Sequence, residues 1–189
     1  MFLSTARLRL REFAEEDWRA VQAYQNDPLY LRYTPWTYRT DEDVLEFVRM
    51  FTDWREERPR YRYQFAIELS DNHTLIGNCG IRSAHAHPWE ANIGYELASS
   101  HWGHGYATEA AHALLEFGFT ELRLHRIYAH CVIENTASAH VLEKIGMRYE
   151  GCLRQNGWMR SRWWDTLVYS VLEDEWRDSF EQPPFPILD

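Results

Sequence analysis

Two glycines separated by a single residue, Gly103 and Gly105, suggest a site that binds an anion. They follow an apolar, alternating run at residues 93–97 and precede a helical pattern of apolar residues over 108–122. A strand, a tight turn and a helix start leave several backbone N–H groups without partners, with the positive end of the helix dipole behind them. The pattern predicts a phosphate site, although the same glycines could merely close a tight connection.

The spacing of apolar residues predicts the elements that must position this turn. Predicted strands cover residues 7–11, 63–69, 75–81, 91–98, 126–133, 147–154 and 163–172, and predicted helices cover residues 15–25, 40–57, 108–122 and 135–145. Asn156-Gly157 predicts a turn between the last two strands, in a connection that could be longer than a two-residue hairpin. The order indicates an α+β fold in three layers, with a mixed, largely antiparallel sheet of about seven strands flanked by about four helices.

Composition narrows the functional class. The net charge is −9 and no block of Lys and Arg stands out, which argues against a nucleic-acid partner and is compatible with a cationic acceptor or with simple solubility. No apolar run has the length of a membrane span and no signal sequence is evident, so we expect no membrane partner and a cytoplasmic location. Residues 1–180 are predicted to form one domain and residues 181–189 a loose tail.

The cysteines do not form a recognisable metal or disulfide framework. Cys79, Cys131 and Cys152 are far apart, odd in number and lack a CxxC spacing. This distribution predicts reduced, mostly buried thiols and no metal site.

Two spaced motifs give the chain a family resemblance. Trp102-Gly-His-Gly-Tyr-Ala107, followed by Thr-Glu-Ala110, resembles motif A of the GNAT family of N-acetyltransferases, and Glu134-Asn-Thr-Ala-Ser-Ala-His-Val-Leu-Glu-Lys-Ile-Gly-Met147 resembles motif B. The strand-like segments at 5–11, 93–97, 150–154 and 164–169 are similar to those of the RimJ/RimL branch, which acetylates the N-termini of ribosomal proteins. The resemblance covers residues 5–175.

The resemblance implies a fold, a donor and a reaction. The fourth and fifth strands of this fold splay apart, and acetyl-CoA lies between them. The acetyl group passes directly to a primary amine of a peptide N-terminus or a small molecule, with no covalent intermediate and no metal. Many relatives form dimers, so a homodimer is conceivable. The implied CoA-binding residues are Leu97, Ala98, Trp102, Gly103, His104, Gly105, Tyr106, Ala107, Thr108, Asn135 and Ser138.

The resemblance assigns specific tasks within this set. Backbone N–H groups of the glycine turn should hold the pyrophosphate, and an N–H near Leu97 or Ala98 should polarise the thioester carbonyl. Asn135 should bind the pantetheine amide, although it could equally cap the helix that follows. Trp102 departs from the family pattern, which has Gln or Arg at that position.

The resemblance also implies the proton-transfer residues. In the branch that this chain resembles, Ser138 would protonate the leaving CoA thiolate, although it could equally be a small helix residue that makes room for the cofactor. Many family members use a tyrosine on this helix instead, and here that position is Leu142. Glu96 is the candidate general base if its strand face opens to the acceptor, and otherwise it is a surface or salt-bridged residue. Asp165 is the second candidate base.

The acceptor is not specified by these motifs. Tyr33, Trp36 and Trp164 are predicted to line an aromatic acceptor cleft that could hold a cation, although most such residues pack in the core. Deprotonation at pH 7 costs about 1 kcal/mol for an α-amine and about 4.6 kcal/mol for a lysine-type amine. An enzyme without a strong base would therefore suit a weakly basic amine. The alternative function is a non-catalytic module that senses acyl-CoA or acts as a scaffold.

Overall fold

A computed structural model describes residues 1–84 and 87–181, and most of the predicted tail, 182–189, lies outside these residues. The described strands are β1 (Phe2–Ser4), β2 (Leu8–Glu12), β3 (Arg62–Leu69), β4 (Leu75–Ala84), β5 (His87–Leu97), β6 (Arg126–Val132), β7 (Arg148–Met159) and β8 (Arg162–Leu172). The α-helices are α1 (Trp18–Gln25), α2 (Asp41–Arg55), α3 (Tyr106–Thr120), α4 (Thr136–Lys144) and α5 (Glu173–Glu181).

One sheet of eight strands, in the order β1-β2-β3-β4-β5-β6-β8-β7, forms the centre of the molecule. The β5–β6 pair is parallel and every other neighbouring pair is antiparallel. The predicted α+β fold with a mixed, largely antiparallel sheet is confirmed. The strand that the sequence did not predict is β1, a short segment whose Phe2 pairs with Arg11 at the edge of the sheet.

The parallel pair at the centre of the sheet is very short. β5 and β6 pair only from Glu90 to Asn92 on β5 and from Arg126 to Tyr128 on β6. Beyond these residues β5 stays paired with β4 and β6 stays paired with β8. The two strands therefore diverge, and the splay predicted from the family resemblance is confirmed.

Apolar side chains on the two faces of the sheet form two separate cores. Leu114 and Leu115 of α3 pack with Ile127 of β6 in the larger cluster, which also includes buried residues of α4. Val21 of α1 and Val44 of α2 lie in the smaller cluster on the opposite face. The sheet is thus covered on both sides, and the gap between β5 and β6 lies between the two layers.

Local sequence signals explain where most helices begin and end. The Thr40 hydroxyl caps α2 by accepting a hydrogen bond from the Asp43 N–H at 3.2 Å, and the Asp43 carboxylate accepts one from the Thr40 N–H at 2.8 Å. Gly146 follows α4 with a φ of 84°, a left-handed conformation that favours glycine. Helix α3 begins at Tyr106, two residues earlier than the predicted position.

The predicted turn at Asn156-Gly157 is wrong. Both residues lie inside β7, where the register shifts between Leu153 and Gly157 and the ladder bulges. The chain reverses instead at Arg160 and Ser161, which both have a positive φ, of 51° and 57°. The Asn-Gly pair lies in or beside a β-bulge of β7, so the pairing of β7 with β8 overrides the local turn preference.

The prediction of mostly buried thiols is confirmed, because Cys79 and Cys131 are buried and Cys152 is partly exposed. Across residues 1–84 and 87–181, no helix is both long enough and apolar enough to cross a membrane.

Candidate functional site

The turn between β5 and α3 forms an anion cradle of backbone N–H groups. Gly103 and Gly105 have φ values of 78° and 80°, which a residue with a side chain adopts only with strain. Helix α3 starts at the next residue, Tyr106, so its first-turn N–H groups have no partner within the helix. No side chain in the described part of the chain caps this helix end. The loop can therefore present its N–H groups and the helix dipole to a phosphate group.

Hydrogen bonds and an ion pair connect this turn with the segment between β1 and β2. The Arg7 guanidinium donates to the carbonyl oxygen of His104 at 2.9 Å and to Glu109 Oε2 at 2.7 Å. Glu109 Oε1 accepts from the Thr5 hydroxyl at 2.6 Å and from the Arg7 backbone N–H at 2.8 Å. Burial raises the pKa of Glu109, but the hydrogen bonds from Thr5 and Arg7 lower it more, so the net pKa is below its ordinary value. Glu109 is thus held as a paired carboxylate.

Trp102 connects the turn to the end of β5. Its indole N–H donates to the Leu97 carbonyl oxygen at 2.9 Å. The Trp102 carbonyl oxygen lies 2.8 Å from Nδ1 of His104, whose ring stacks on Tyr106 at 5.7 Å. The residue that departs from the family pattern therefore braces the loop.

The splayed edge of β5 offers one of the two predicted oxyanion donors. The Ala98 N–H already donates to the carbonyl oxygen of Ile76 at 2.8 Å. In an antiparallel pair the direction of successive N–H groups alternates, so the Leu97 N–H points away from β4 and towards the gap. Of the two predicted positions, Leu97 is the one whose N–H can reach a ligand between the strands.

Residues from both sides of the gap meet at the start of α4. The Ser138 hydroxyl lies 3.1 Å from the hydroxyl of Tyr95 on β5. Asn135 caps the helix, since its Oδ1 accepts from the Ser138 N–H at 3.2 Å. Burial raises the pKa of the nearby Cys131 thiol, on β6, to about 11, and a hydrogen bond with Ser138 partly opposes this shift. Ser138 thus lies between the two diverging strands.

Glu96 faces the opposite side of the sheet, towards α1, and its carboxylate accepts four hydrogen bonds. Oε1 accepts from the Tyr24 hydroxyl at 2.8 Å, from the Gln25 amide at 2.8 Å and from the Asn78 amide. Oε2 accepts from the Tyr30 hydroxyl at 2.6 Å. Each carboxylate oxygen has about two acceptor positions. Three of the four hydrogen bonds go to Oε1 and one goes to Oε2, so one acceptor position on Oε2 is left. Glu96 is therefore not a free surface residue, and it forms no salt bridge with any residue that the structure describes.

The two tyrosines that contact Glu96 act as permanent donors. Burial, followed by the negative charge of Glu96, raises the pKa of Tyr24 and of Tyr30 well above the ordinary value for tyrosine. Both phenols stay protonated at neutral pH. Tyr30 belongs to the 3-10 helix Tyr30–Tyr33 between α1 and α2, so this contact anchors the connection to the sheet.

The predicted aromatic residues lie on this connection and on the β7–β8 hairpin. The Tyr33 and Trp164 rings meet edge to face at 6.5 Å, and the Tyr33 hydroxyl donates to the Glu134 carbonyl oxygen at 2.9 Å. Trp164 is buried, and the Arg162 guanidinium lies 3.3 Å from its ring centroid. Trp36 is partly buried, and its buried indole N–H has no acceptor among the described residues.

The tip of the hairpin is docked onto the same connection. Arg160 donates to the carbonyl oxygens of Thr34, at 3.2 Å, and of Leu31. The guanidinium of Arg39 lies 5.0 Å from the centroid of Trp36. The faces of Trp36 and Trp164 that could attract a cation are therefore already opposite arginines of the chain itself.

The predicted site residues thus fall into two groups on opposite faces of the sheet. The glycine turn, Leu97, Asn135 and Ser138 surround the gap on the α3 and α4 side. Glu96 lies on the α1 side. Sequence reasoning missed Arg7 and Tyr95. The alternation along β5 could have placed Tyr95 on the same face as Leu97, whereas no sequence signal connects Arg7 with a turn about a hundred residues away.

Comparisons with known proteins identify relatives over almost the whole chain. The sequence pattern of the Acetyltransferase (GNAT) domain matches residues 7–148. YnaD of Bacillus subtilis, described as an uncharacterized N-acetyltransferase, is 38% identical over 93% of this chain and 99% of its own length. A crystal structure of a GNAT-family acetyltransferase from Bacillus anthracis is 35% identical, with a TM-score of 0.80 over 92% of this chain and 99% of that one.

A more distant structure shares the fold alone. The spermidine N-acetyltransferase of Vibrio cholerae, solved in complex with CoA and spermine, is 23% identical. Its TM-score is 0.78 over 92% of this chain and 99% of that one.

Proposed function

This chain belongs to the GNAT family of acetyltransferases, and on that premise we propose that it moves the acetyl group of acetyl-CoA directly to a primary amine. The acceptor class is a peptide N-terminus or a small-molecule amine. The main support is the joint arrangement of the glycine turn and the splayed β5–β6 gap, which offers N–H donors at both ends of an extended ligand. Relatives that match most of the chain are named N-acetyltransferases, which does not favour the non-catalytic alternative.

The donor fits the residues that surround the gap. Bound acetyl-CoA would supply the thioester carbonyl that the amine attacks. The backbone N–H groups of Gly103, His104, Gly105, Tyr106, Ala107 and Thr108 would bind the pyrophosphate, with Trp102 bracing the turn. The amide nitrogen of Asn135 remains for the pantetheine arm, because its Oδ1 is used in the helix cap.

Two groups of this chain would act at the thioester. The Leu97 N–H would donate to the carbonyl oxygen as negative charge develops on it. The Ser138 hydroxyl would give its proton to the departing thiolate and recover one from solvent, while the Tyr95 hydroxyl, 3.1 Å away, holds the Ser138 hydroxyl in position. The pKa of Tyr95 is raised, mainly by burial, so its hydroxyl carries a proton at neutral pH.

We propose that Glu96 removes the amine proton through the remaining acceptor position of Oε2. Four hydrogen bonds fix this carboxylate, so it is well placed but has little capacity for further partners. Such a base suits an amine that ionises near neutral pH, because deprotonation then costs only about 1 kcal/mol at pH 7. Tyr33, Trp36 and Trp164 would form the nearby wall of the acceptor cleft.

The location is proposed on independent grounds. Free thiols persist in a reducing compartment, and the three cysteines of this chain are free. This supports a cytoplasmic enzyme.

The test is release of CoA thiol from acetyl-CoA in the presence of a panel of amines that includes N-terminal peptides and polyamines. We expect turnover with at least one amine, and a loss of about a hundredfold in kcat for Glu96→Gln. Glu90→Gln, on the same strand but paired with Arg126 at its far end, is the matched control and should keep full activity. A protein that neither binds CoA nor releases it with any amine would refute the proposed function.

The pH dependence separates a base from a structural residue. With an acceptor that ionises near pH 8, the difference between wild type and Glu96→Gln should shrink as the pH rises above 8, because the amine is then already neutral. A difference that stays constant from pH 6.5 to about 9.5 would assign Glu96 a positioning role instead.

A further inference from the structure

The contact between Arg7 and the glycine turn fixes the orientation of one peptide group. Arg7 Nη1 donates to the carbonyl oxygen of His104 at 2.9 Å. A trans peptide is planar, and its C=O and N–H groups point in opposite directions. The N–H of the same peptide unit belongs to Gly105, so it must point away from Arg7. This contact therefore selects the direction in which one donor of the cradle faces.

The left-handed turn makes such a constraint necessary. Gly105 has a φ of 80°, and glycine adopts positive and negative φ with similar ease. Without an external contact, the peptide between His104 and Gly105 could rotate and present its carbonyl oxygen to an anion. The Arg7 side chain prevents this because its other nitrogens are already fixed on Glu109 Oε2 at 2.6 and 2.7 Å.

Charge balance gives Arg7 a second task. Glu109 lies in the first turn of α3, where its negative charge would oppose a phosphate at the helix start. The Glu109 side chain is 17% exposed and is paired with Arg7, whose side chain is 49% exposed. Arg7 therefore neutralises the carboxylate nearest to the cradle, so that Glu109 no longer opposes a phosphate there.

We infer that Arg7 is a positioning residue for the pyrophosphate of the donor, acting through the His104–Gly105 peptide and through Glu109. This inference rests on the proposed function, since it assumes that CoA binds the cradle. It also explains how the turn can work with Trp102 in place of a polar or basic residue. Arg7, immediately before β2, neutralises Glu109 beside a turn that contains no Lys or Arg.

The experiment compares acetyl-CoA with S-acetylpantetheine, which lacks the pyrophosphate and the adenosine 3′-phosphate attached to it. Acetyl-CoA carries the pyrophosphate, whereas S-acetylpantetheine ends before it. For Arg7→Ala we expect KM for acetyl-CoA to rise about tenfold with kcat nearly unchanged, as for a loss of uniform binding. The value of kcat/KM for S-acetylpantetheine should stay within twofold of wild type.

Three further variants sharpen the assignment. Arg7→Lys keeps the charge but not the planar fork that contacts both Glu109 and His104, so it should restore less than half of the lost affinity on a free-energy scale. Arg9→Ala removes an exposed arginine of β2, two residues along the chain from Arg7, and should behave like wild type with both donors. Arg7→Ala combined with Glu109→Gln should keep a raised KM for acetyl-CoA, because the peptide is still unconstrained.

The outcomes are distinct. An equal loss with both donors, or no loss with either, would overturn the inference while leaving the proposed function intact. Full recovery in the double variant would overturn the role of peptide orientation. A wild-type protein that shows no CoA binding by calorimetry and no turnover with either donor would overturn the proposed function itself, and the inference with it.

Discussion

Replacing Tyr30 with phenylalanine should measure what the Glu96 network contributes to stability. The change removes one hydroxyl that donates to Glu96 Oε2 at 2.6 Å and leaves the ring in place against Tyr24, with centroids 5.6 Å apart. A hydrogen bond to a charged group is worth about 1.5–3 kcal/mol. For a chain of this length, 1 kcal/mol shifts the unfolding temperature by about 2–4 °C. We therefore expect Tyr30→Phe to unfold about 3–12 °C below wild type.

Removing the acceptor instead of one donor should cost more. Glu96→Ala leaves four donors without their common acceptor, and each unpaired buried polar group costs about 1–3 kcal/mol. Tyr24 and Asn78 keep the 2.9 Å hydrogen bond that joins them, which limits the loss. We expect about 3–6 kcal/mol, measured by urea unfolding with tryptophan fluorescence.

The matched control for these variants is Tyr38→Phe. Tyr38 lies in the same connection between α1 and α2, but its side chain is largely exposed, so loss of its hydroxyl should leave the unfolding temperature within about 1 °C of wild type. If Tyr30→Phe and Tyr38→Phe unfold at the same temperature, the Glu96 network contributes no stability and the reasoning above is refuted.

Three further predictions concern other parts of the molecule. Glu109→Gln should lower the free energy of unfolding at pH 7 by about 1–2 kcal/mol. The folded-state pKa of Glu109 lies below its ordinary value of 4.5. The difference in the free energy of unfolding between the two proteins should therefore be constant above pH 4.5 and vanish as the pH falls through the folded-state pKa. A difference that persists at about pH 2 in urea titrations would contradict this. A Cβ on Gly118 would lie 2.6 Å from Ile127 Cδ1, so Gly118→Ala should destabilise by about 1–3 kcal/mol in the same assay, whereas Gly157→Ala, with nothing within 4 Å, should change stability by less than about 0.5 kcal/mol. Cys152 should react first with a thiol reagent at pH 8, since burial raises the pKa of the other two thiols to about 12 and about 11, and Cys152→Ser should abolish the fast phase.

Much of the fold follows from local patterns in the sequence. Three features could be predicted from the sequence because each depends on residues a few positions apart: the Thr40 cap, the helix end at Gly146 and the alternation along β5. The splay of β5 and β6 came from the family resemblance and not from spacing. Divergence of two strands depends on where pairing stops, and no residue type marks that point.

The unpredicted features depend on contacts between distant segments. Arg160 and Ser161 occupy left-handed conformations at the hairpin tip, where the Arg160 side chain bonds to carbonyl oxygens of the α1–α2 connection. Those bonds favour a turn at Arg160 and Ser161, whereas local preference would place the turn at Asn156-Gly157. Arg7 was likewise assigned only to a strand, because its partners lie 97 and 102 positions away in the chain.

The three-residue ladder between β5 and β6 has a consequence for the dynamics of the sheet. The strands β1 to β5 form one hydrogen-bonded block and β6 to β8 form another. Among the described residues, the ladder that joins the two blocks covers residues 90–92 and 126–128, next to a hydrogen bond from the His125 N–H to the Trp89 carbonyl oxygen. Blocks so weakly connected should exchange their amide protons as separate cooperative units. A ligand that pairs with the free edge of β5 while contacting Ser138 would bridge them, and protection against exchange should then rise in both blocks together.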